Sequence, residues 1–322
     1  PKAPQPTLEF GRLIHAALDH GYSANPPDYA GMADWFREDA RAWIEEQDRS
    51  YKPWSSQREA WEVDVELGAR MLAEYALWAP AQDKGLTVVA TEHEGLVPVE
   101  TPRGQWGPGL IEPFALYYFR ADGLVRDEMG RLWLMEHKTT ARWWSEVMID
   151  LDEQLTAYTW AAQRKFQEPV VGVMVNFLLK SPVEDPPILK DGMPTTAMSR
   201  LARTTAARYS NFRGANSATL AALMDRERDE GHPTLRREYV LRSEYAVGQQ
   251  TQRIPAEAEG MLGSPKIYPT PSLACSWCPA RVPCTMAENG EDYEEHLAYF
   301  FERRPAMWDE IPTGGVVSDD TD

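Results

Sequence analysis

Two acidic side chains and one amine set the chemistry open to this sequence: Asp122, Glu136 and Lys138. Asp122 closes the segment 119–122, Glu136 and Lys138 lie within 132–140, and the polar stretch Asp127 to Gly130 separates them. Apolar and aromatic flanks around a stretch holding Asp, Glu and Gly predict a β-hairpin. Folding back at Met129 sets position 122 against 136, within one residue. Opposed residues of an antiparallel pair share a face, with Cβ atoms about 5 Å apart. Glu136 and Lys138, two apart on one strand, also share a face, and His137 points the other way.

Carboxylates that close repel one another unless a cation lies between them, and hard oxygen ligands suit magnesium or manganese. Such an ion polarises a phosphoryl oxygen and lowers the pKa of its bound water. A neighbouring ammonium can orient that water or offset charge developing on a phosphate. The simpler alternative has Asp122 closing a turn and Glu136 paired with Lys138 on an exposed sheet face. Leu132, Trp133, Leu134 and Met135 run without polar alternation, which suits a strand covered on both faces. Charges at the end of a buried strand need partners.

The elements that must position these groups are legible on either side. Thr7 to His20 predicts a helix with Leu8, Leu13, Ile14, Ala17 and Leu18 apolar; it carries Gly11 and His15. Residues 28–79 read as helical throughout, with Trp35, Phe36, Trp43 and Ile44 at helical spacing. The capping box Ser56 to Glu59 opens a second long helix that ends near Pro80. Trp35, Trp43, Trp54, Trp61 and Trp78 serve as core residues or as platforms for single-stranded bases. Strands are expected at Leu86–Thr91, Leu96–Glu100 and Phe114–Phe119, with a Gly/Pro-rich loop, Pro102 to Pro113, between the last two. Glu92, at a strand end, is assigned at most a supporting role. A helix over Glu146–Phe166 sets Gln154 and Tyr158 on one face, and Val170–Leu179 reads as a strand. Strands interleaved with a helix predict a mixed α/β sheet.

Beyond Lys180 prolines interrupt the pattern. A helix-prone segment then carries Arg200, Arg203, Arg208 and Arg213 among few acids, as a track along a DNA backbone or as a solvated face. Residues 215–262 read as helix, short strand, helix. With 33 basic and 50 acidic residues the net charge is −17, which argues against a broadly basic nucleic-acid surface. Part of this charge is local, because Asp309 to Asp322 hold five acids and no base, and this tail reads as disordered. The rest fits a narrow local DNA track whose non-specific binding is weak and readily abolished by salt. No run approaches the roughly 20 apolar residues that span a bilayer, and the start carries no secretory signal. The chain therefore reads as intracellular.

Cys275, Cys278 and Cys284 are the three cysteines of the chain, spaced x2 and then x5. An odd, tightly clustered set reads as metal-ligating thiols rather than disulfides.

Asp122, a hairpin, Glu136-His137-Lys138-Thr139, then Gln154 and Tyr158 resemble the PD-(D/E)XK nuclease superfamily in its RecB-like branch. The resemblance implies a restriction-endonuclease-like core, a mixed central sheet flanked by helices. It implies that Asp122, Glu136 and the carbonyl of His137 bind magnesium or manganese and that Lys138 is catalytic. Gln154 and Tyr158 would reach the site or the DNA. The Gly11/His15 spacing is similar to a helix near the start of these nucleases whose histidine is a further ligand. The cysteine spacing resembles the carboxy-terminal cluster of RecB-like iron-sulfur nucleases, a group that includes the AddB nuclease domain and CRISPR-associated exonucleases. In those, three late cysteines and one early one hold a 4Fe-4S cluster. The ten residues before Gly11 hold no cysteine. The expectation is therefore an amino-terminal piece before Pro1 that carries the fourth ligand, an incomplete cluster, a non-cysteine ligand, or zinc. Arg120 departs from the family, which often has Gly two residues before the Asp.

The implied organisation is an N-terminal helical region (1–85), a nuclease core (86–180), a helical basic accessory region (181–262), a cysteine-ligated metal lobe (263–304) and the acidic tail (305–322). The implied function is metal-dependent DNA cleavage, as an exonuclease on single-stranded ends in recombination, repair or CRISPR adaptation with protein partners from those pathways. The rivals are a DNA-end-binding module with weak catalysis and a structural subunit of a helicase-nuclease. The chain holds no Gly-x-x-x-x-Gly-Lys-Ser/Thr motif, so any helicase would come from a partner.

Overall fold

The computed structural model describes residues 6–50, 55–99, 115–263, 275, 278 and 280–301. The chain divides into one unit over Gln5–Ser264 and a second that takes Pro1–Pro4 and Pro265–Asp322. Trp54, the loop 102–113 and the tail 305–322 lie outside the described residues.

In the larger unit one turn sets the register of the centre. Asp127 Oδ1 accepts from the backbone N–H groups of Met129 and Arg131, each at 3.0 Å. Its Oδ2 accepts from Arg131 Nε at 2.7 Å and Trp133 Nε1 at 3.0 Å. Gly130 takes a φ of 75°, a conformation that costs glycine nothing. The turn joins β2 (Ala115–Arg126) to β3 (Leu132–Thr140). Their ladder pairs Arg126 with Leu132 and runs to Gly123 with Met135.

The sheet is five-stranded in the order β1-β2-β3-β4-β5, with β1 at Thr87–Val99, β4 at Val170–Leu179 and β5 at Leu235–Leu241. β3 and β4 run parallel and the other neighbours antiparallel. A parallel pair needs a crossover, supplied here by α4 (Glu146–Asp150) and α5 (Glu153–Phe166). On one face α1 (Pro6–Ser23), α2 (Met32–Ser50) and α3 (Ser55–Gln82) pack on Val125, Trp133 and Met135. On the other, α5 and α8 (Glu244–Gly263) pack on Phe119, Ala121, Leu132 and Leu134. With both faces covered, Leu132 to His137 are all buried, which is why β3 lacks polar alternation. The pieces α6 (Ala206–Ser210) and α7 (Ser217–Glu230) close over Leu201, Tyr209 and Leu223. In the smaller unit lie α9 (Arg281–Glu288) and α10 (Tyr293–Phe300). Among the described residues no helix is long and apolar enough to cross a membrane.

Four expectations are corrected. The two strands expected at 86–91 and 96–100 are one strand, β1, whose pairing with β2 shifts between Val88 and Ala90. The helix expected over 146–166 breaks because Asp152 accepts from Leu155 N–H and caps α5 anew. The second long helix runs past Pro80 to Gln82, since a proline in the final turn interrupts few bonds. The helix-prone arginine segment forms a single 3-10 turn, Met198–Arg200, and the short α6. Trp61 is buried, and Trp35, Trp43 and Trp78 pack against the same core.

Candidate metal and hydrolytic site

The β2–β3 ladder stops at Gly123 and Met135, so Asp122 and Glu136, next in register, stand where the strands part. Side chains bridge the gap. Asp122 Oδ2 accepts from the His137 backbone N–H at 2.7 Å, and Oδ1 meets His15 Nδ1 of α1 at 3.0 Å. Glu136 Oε2 lies 3.6 Å from Lys138 Nζ, which donates to Gln154 Oε1 of α5 at 2.7 Å. The carboxylates therefore do not stand side by side on one face. Asp122 leans toward α1, and Glu136 is joined through Lys138 to α5.

Their electrostatics diverge. Burial pushes Asp122 up, but the hydrogen bond and charge of His15 and the N–H of His137 outweigh it and hold the carboxyl below its usual range. Glu136 is 3% exposed and is pushed up to about 8, first by burial and then by the charge of Asp122. Lys138 and the Asp122 N–H offset this only in part. Glu136 Oε1 is buried without a hydrogen-bond partner. An orphaned oxygen on a buried carboxylate whose ionisation a second carboxylate opposes is the environment that a hard divalent cation relieves, so these residues fit magnesium or manganese.

The cluster also contains a group placed to serve as a ligand, to which the sequence assigned only a supporting role. His15, Glu92 and Asp122 can each offer one ligand atom with all three within 4.8 Å of one another. These three, with Asp19, Tyr22 and His137, line one small pocket. Glu92 sits across from Asp122 because Thr91 pairs with Gly123 and His93 with Ala121. Its φ of 43° is left-handed, and Arg120 Nε holds its Oε2 at 3.1 Å. Burial, opposed by Arg120 and helped by Asp122, raises its pKa. Only a reading of 87–99 as one strand would have aligned Glu92 with Asp122.

Gln154 is exposed at the rim, and the partly buried Tyr158 packs on Phe119 with ring centroids 5.9 Å apart. The His137 ring lies on the opposite face, stacked on Tyr22. Arg203 pairs with Glu184, and Arg208 with Glu74 at 2.6 Å and Asp185 at 2.8 Å. Arg200 and Arg213 are exposed. Two of the four basic groups are thus already matched by acids. In the smaller unit Cys275 and Cys284 are partly buried and Cys278 is exposed, and none of the three is in a disulfide among the described residues. The turn there has Cys278 N–H on the Cys275 carbonyl and Cys284 N–H on that of Ala280. Among the described residues the three thiols do not gather into a metal-binding group.

The mixed five-stranded sheet flanked by helices fits a PD-(D/E)XK-like core, and the chain belongs to the PD-(D/E)XK nuclease superfamily, whose family model matches residues 1–285. Among solved structures, the crystal structure of SSO0001 is 15% identical, covering 74% of this chain and 78% of its own, with a TM-score of 0.28. A comparison with curated proteins returned no match.

Proposed function

We propose that the chain is a RecB-like deoxyribonuclease that removes nucleotides from single-stranded DNA ends. The observation that carries the hydrolytic reading is the buried, partnerless Glu136 Oε1 beside Asp122. Asp122, Glu136, His15, Glu92 and the carbonyl of His137 would hold magnesium or manganese. That ion, when bound, supplies a Lewis acid at the phosphate and a water of lowered pKa. The chain's own groups do the rest. His15 and the His137 N–H keep Asp122 ionised and fixed. Gln154 holds Lys138 Nζ at the open edge of the carboxylates, where it can orient the attacking water and offset charge developing on the phosphate. Exposed Gln154 and Tyr158 behind it form the wall against which a strand end would rest.

Cys275, Cys278 and Cys284 would ligate a structural 4Fe-4S cluster, or zinc in its place. Their clustering at x2 and x5 spacing supports this reading. Broad visible absorbance favours iron-sulfur, and stoichiometric zinc in a colourless protein favours the alternative. Recombination, repair or CRISPR adaptation is the setting that the family resemblance favours.

The test is cleavage of single-stranded DNA labelled at one end at a time, with magnesium or manganese, by wild type and Lys138→Ala. Stepwise shortening from one end by wild type alone is expected. Internal cuts would remove the exonuclease reading, and DNA left whole by both proteins with every metal would remove the enzyme.

A further inference from the structure

On the α1–α3 side of β3 lies a second polar assembly that the proposed chemistry does not use. Arg237 of β5 and Asp83, just after α3, are 1% and 8% exposed at their side chains. Arg237 donates from Nη2 to Asp83 Oδ1 at 2.6 Å, from Nη1 to the Gln82 carbonyl at 2.9 Å and from Nε to Asn176 Oδ1 at 2.7 Å. Asp83 Oδ2 accepts from the hydroxyls of Tyr22 at 2.6 Å and Tyr29 at 2.7 Å. Tyr22 and Tyr75 share a hydrogen bond of 2.7 Å. Asn176, fully buried on β4, turns Nδ2 to the Tyr75 hydroxyl at 3.2 Å and to His137 Nδ1 at 3.4 Å.

Taking an arginine and an aspartate out of water costs several kcal/mol per ion, and apolar replacements of such pairs are often neutral or stabilising. Stability is therefore a poor reason for this assembly. Its common end is one imidazole. Tyr22 stacks on the His137 ring at 5.7 Å and 28°, Tyr75 meets it at 6.1 Å edge-on, and Asn176 faces its Nδ1. Because Asn176 Oδ1 is committed to Arg237, the group facing His137 is the amide N–H. Nδ1 is then an acceptor, and the ring carries its proton on Nε2. The backbone N–H of the same residue is the donor that fixes Asp122. The side chains of its neighbours Glu136 and Lys138 emerge on the other face.

We infer that Asn176, Arg237 and Asp83 are positioning residues. By holding the His137 ring through Asn176 and Tyr22, they set the strand's twist at 136–138 and with it the spacing between Asp122, Glu136 and Lys138. This inference rests on the Asp122–Glu136 site being the metal site. Outer partners that orient ligands typically change metal affinity 10- to 100-fold when lost.

The test replaces the ion pair by apolar groups of similar bulk, Asp83→Leu with Arg237→Met, in the full chain. Mn2+ titration by electron paramagnetic resonance should show affinity lowered about tenfold. Turnover of single-stranded DNA should fall with KM unchanged, and the His137 ring should lose its single Nε2–H tautomer by 15N NMR. A folded double variant with wild-type Mn2+ affinity and tautomer overturns the inference. Asn176→Asp keeps the shape but presents only acceptors to His137. It should move the ring proton to Nδ1 and weaken Mn2+ binding, and no change in either overturns the inference on its own. A wild type that binds Mn2+ but cuts no DNA removes the nuclease reading alone, and the affinities still decide this one. A wild type that binds no Mn2+ sinks both.

Discussion

At positions 136 and 137 adjacent residues of β3 face opposite ways into very different surroundings. On the α1–α3 side the His137 ring ends a chain of hydrogen bonds in which every buried side-chain group from Asp83 to Asn176 has a partner. On the other side Glu136 keeps one buried oxygen with none and a pKa pushed up to about 8. The contrast teaches where the molecule tolerates frustration. Between these two regions the unmet demand falls on the carboxylate that a cation would satisfy, whereas the groups from Asp83 to Asn176 are saturated.

The largest blow to this contrast comes from the reactive side. Lys138→Ala and Glu136→Gln should each lower single-turnover DNA cleavage by about 10³-fold or more, and chelation should abolish it. Next comes a stability effect of the opposite sign. The folded-state pKa of Glu136 lies above its ordinary 4.5, so its contribution to metal-free stability is fully present below about pH 4.5 and is lost as the pH rises to about 8. Glu136→Gln should therefore raise the melting temperature of metal-free protein at pH 8 by the equivalent of a few kcal/mol. The gain should vanish near pH 4.5 in a series of melting curves. Third, Mn2+ at 100 times its Kd should stabilise wild type by about 2.7 kcal/mol. That Kd should tighten from pH 6 to 8.5 as the Glu136 proton stops competing, with no such trend in Glu136→Gln. Glu92→Gln should cost about tenfold in Mn2+ affinity by calorimetry, and an unchanged affinity removes Glu92 as a ligand. The smallest change is remote: Gly130→Ala, at a φ of 75° with nothing within 4 Å of the added methyl. It should cost about 1 kcal/mol in denaturant melts and leave cleavage intact.

What the sequence disclosed is what local chemistry dictates. The turn at Asp127–Gly130 is held by its own side chain, so the hairpin could be read from a dozen residues, but not that Asp122 would lean toward α1 while Glu136 is joined through Lys138 to α5. Val170–Leu179 was legible as a buried apolar run. Glu92 was not, because its left-handed backbone and the pairing shift in β1 are imposed by β2. Arg237 was not either, since its partners Asn176 and Asp83 lie 61 and 154 residues away in sequence. Nor could the neutralisation of Arg208 be read from the sequence, because its partner Glu74 lies 134 residues away. Spacing shows which groups can do chemistry, but not which charges are already neutralised.

The hydrogen bond between His15 and Asp122 joins positions 107 residues apart. An ion held by both would act as a detachable cross-link, closing a long loop between the first helix and the hairpin. Loading the metal should then slow amide hydrogen exchange along α1, and stripping it should let that helix fray first, far from any DNA. Docking of α1 would in this way become a gauge of whether the centre is charged.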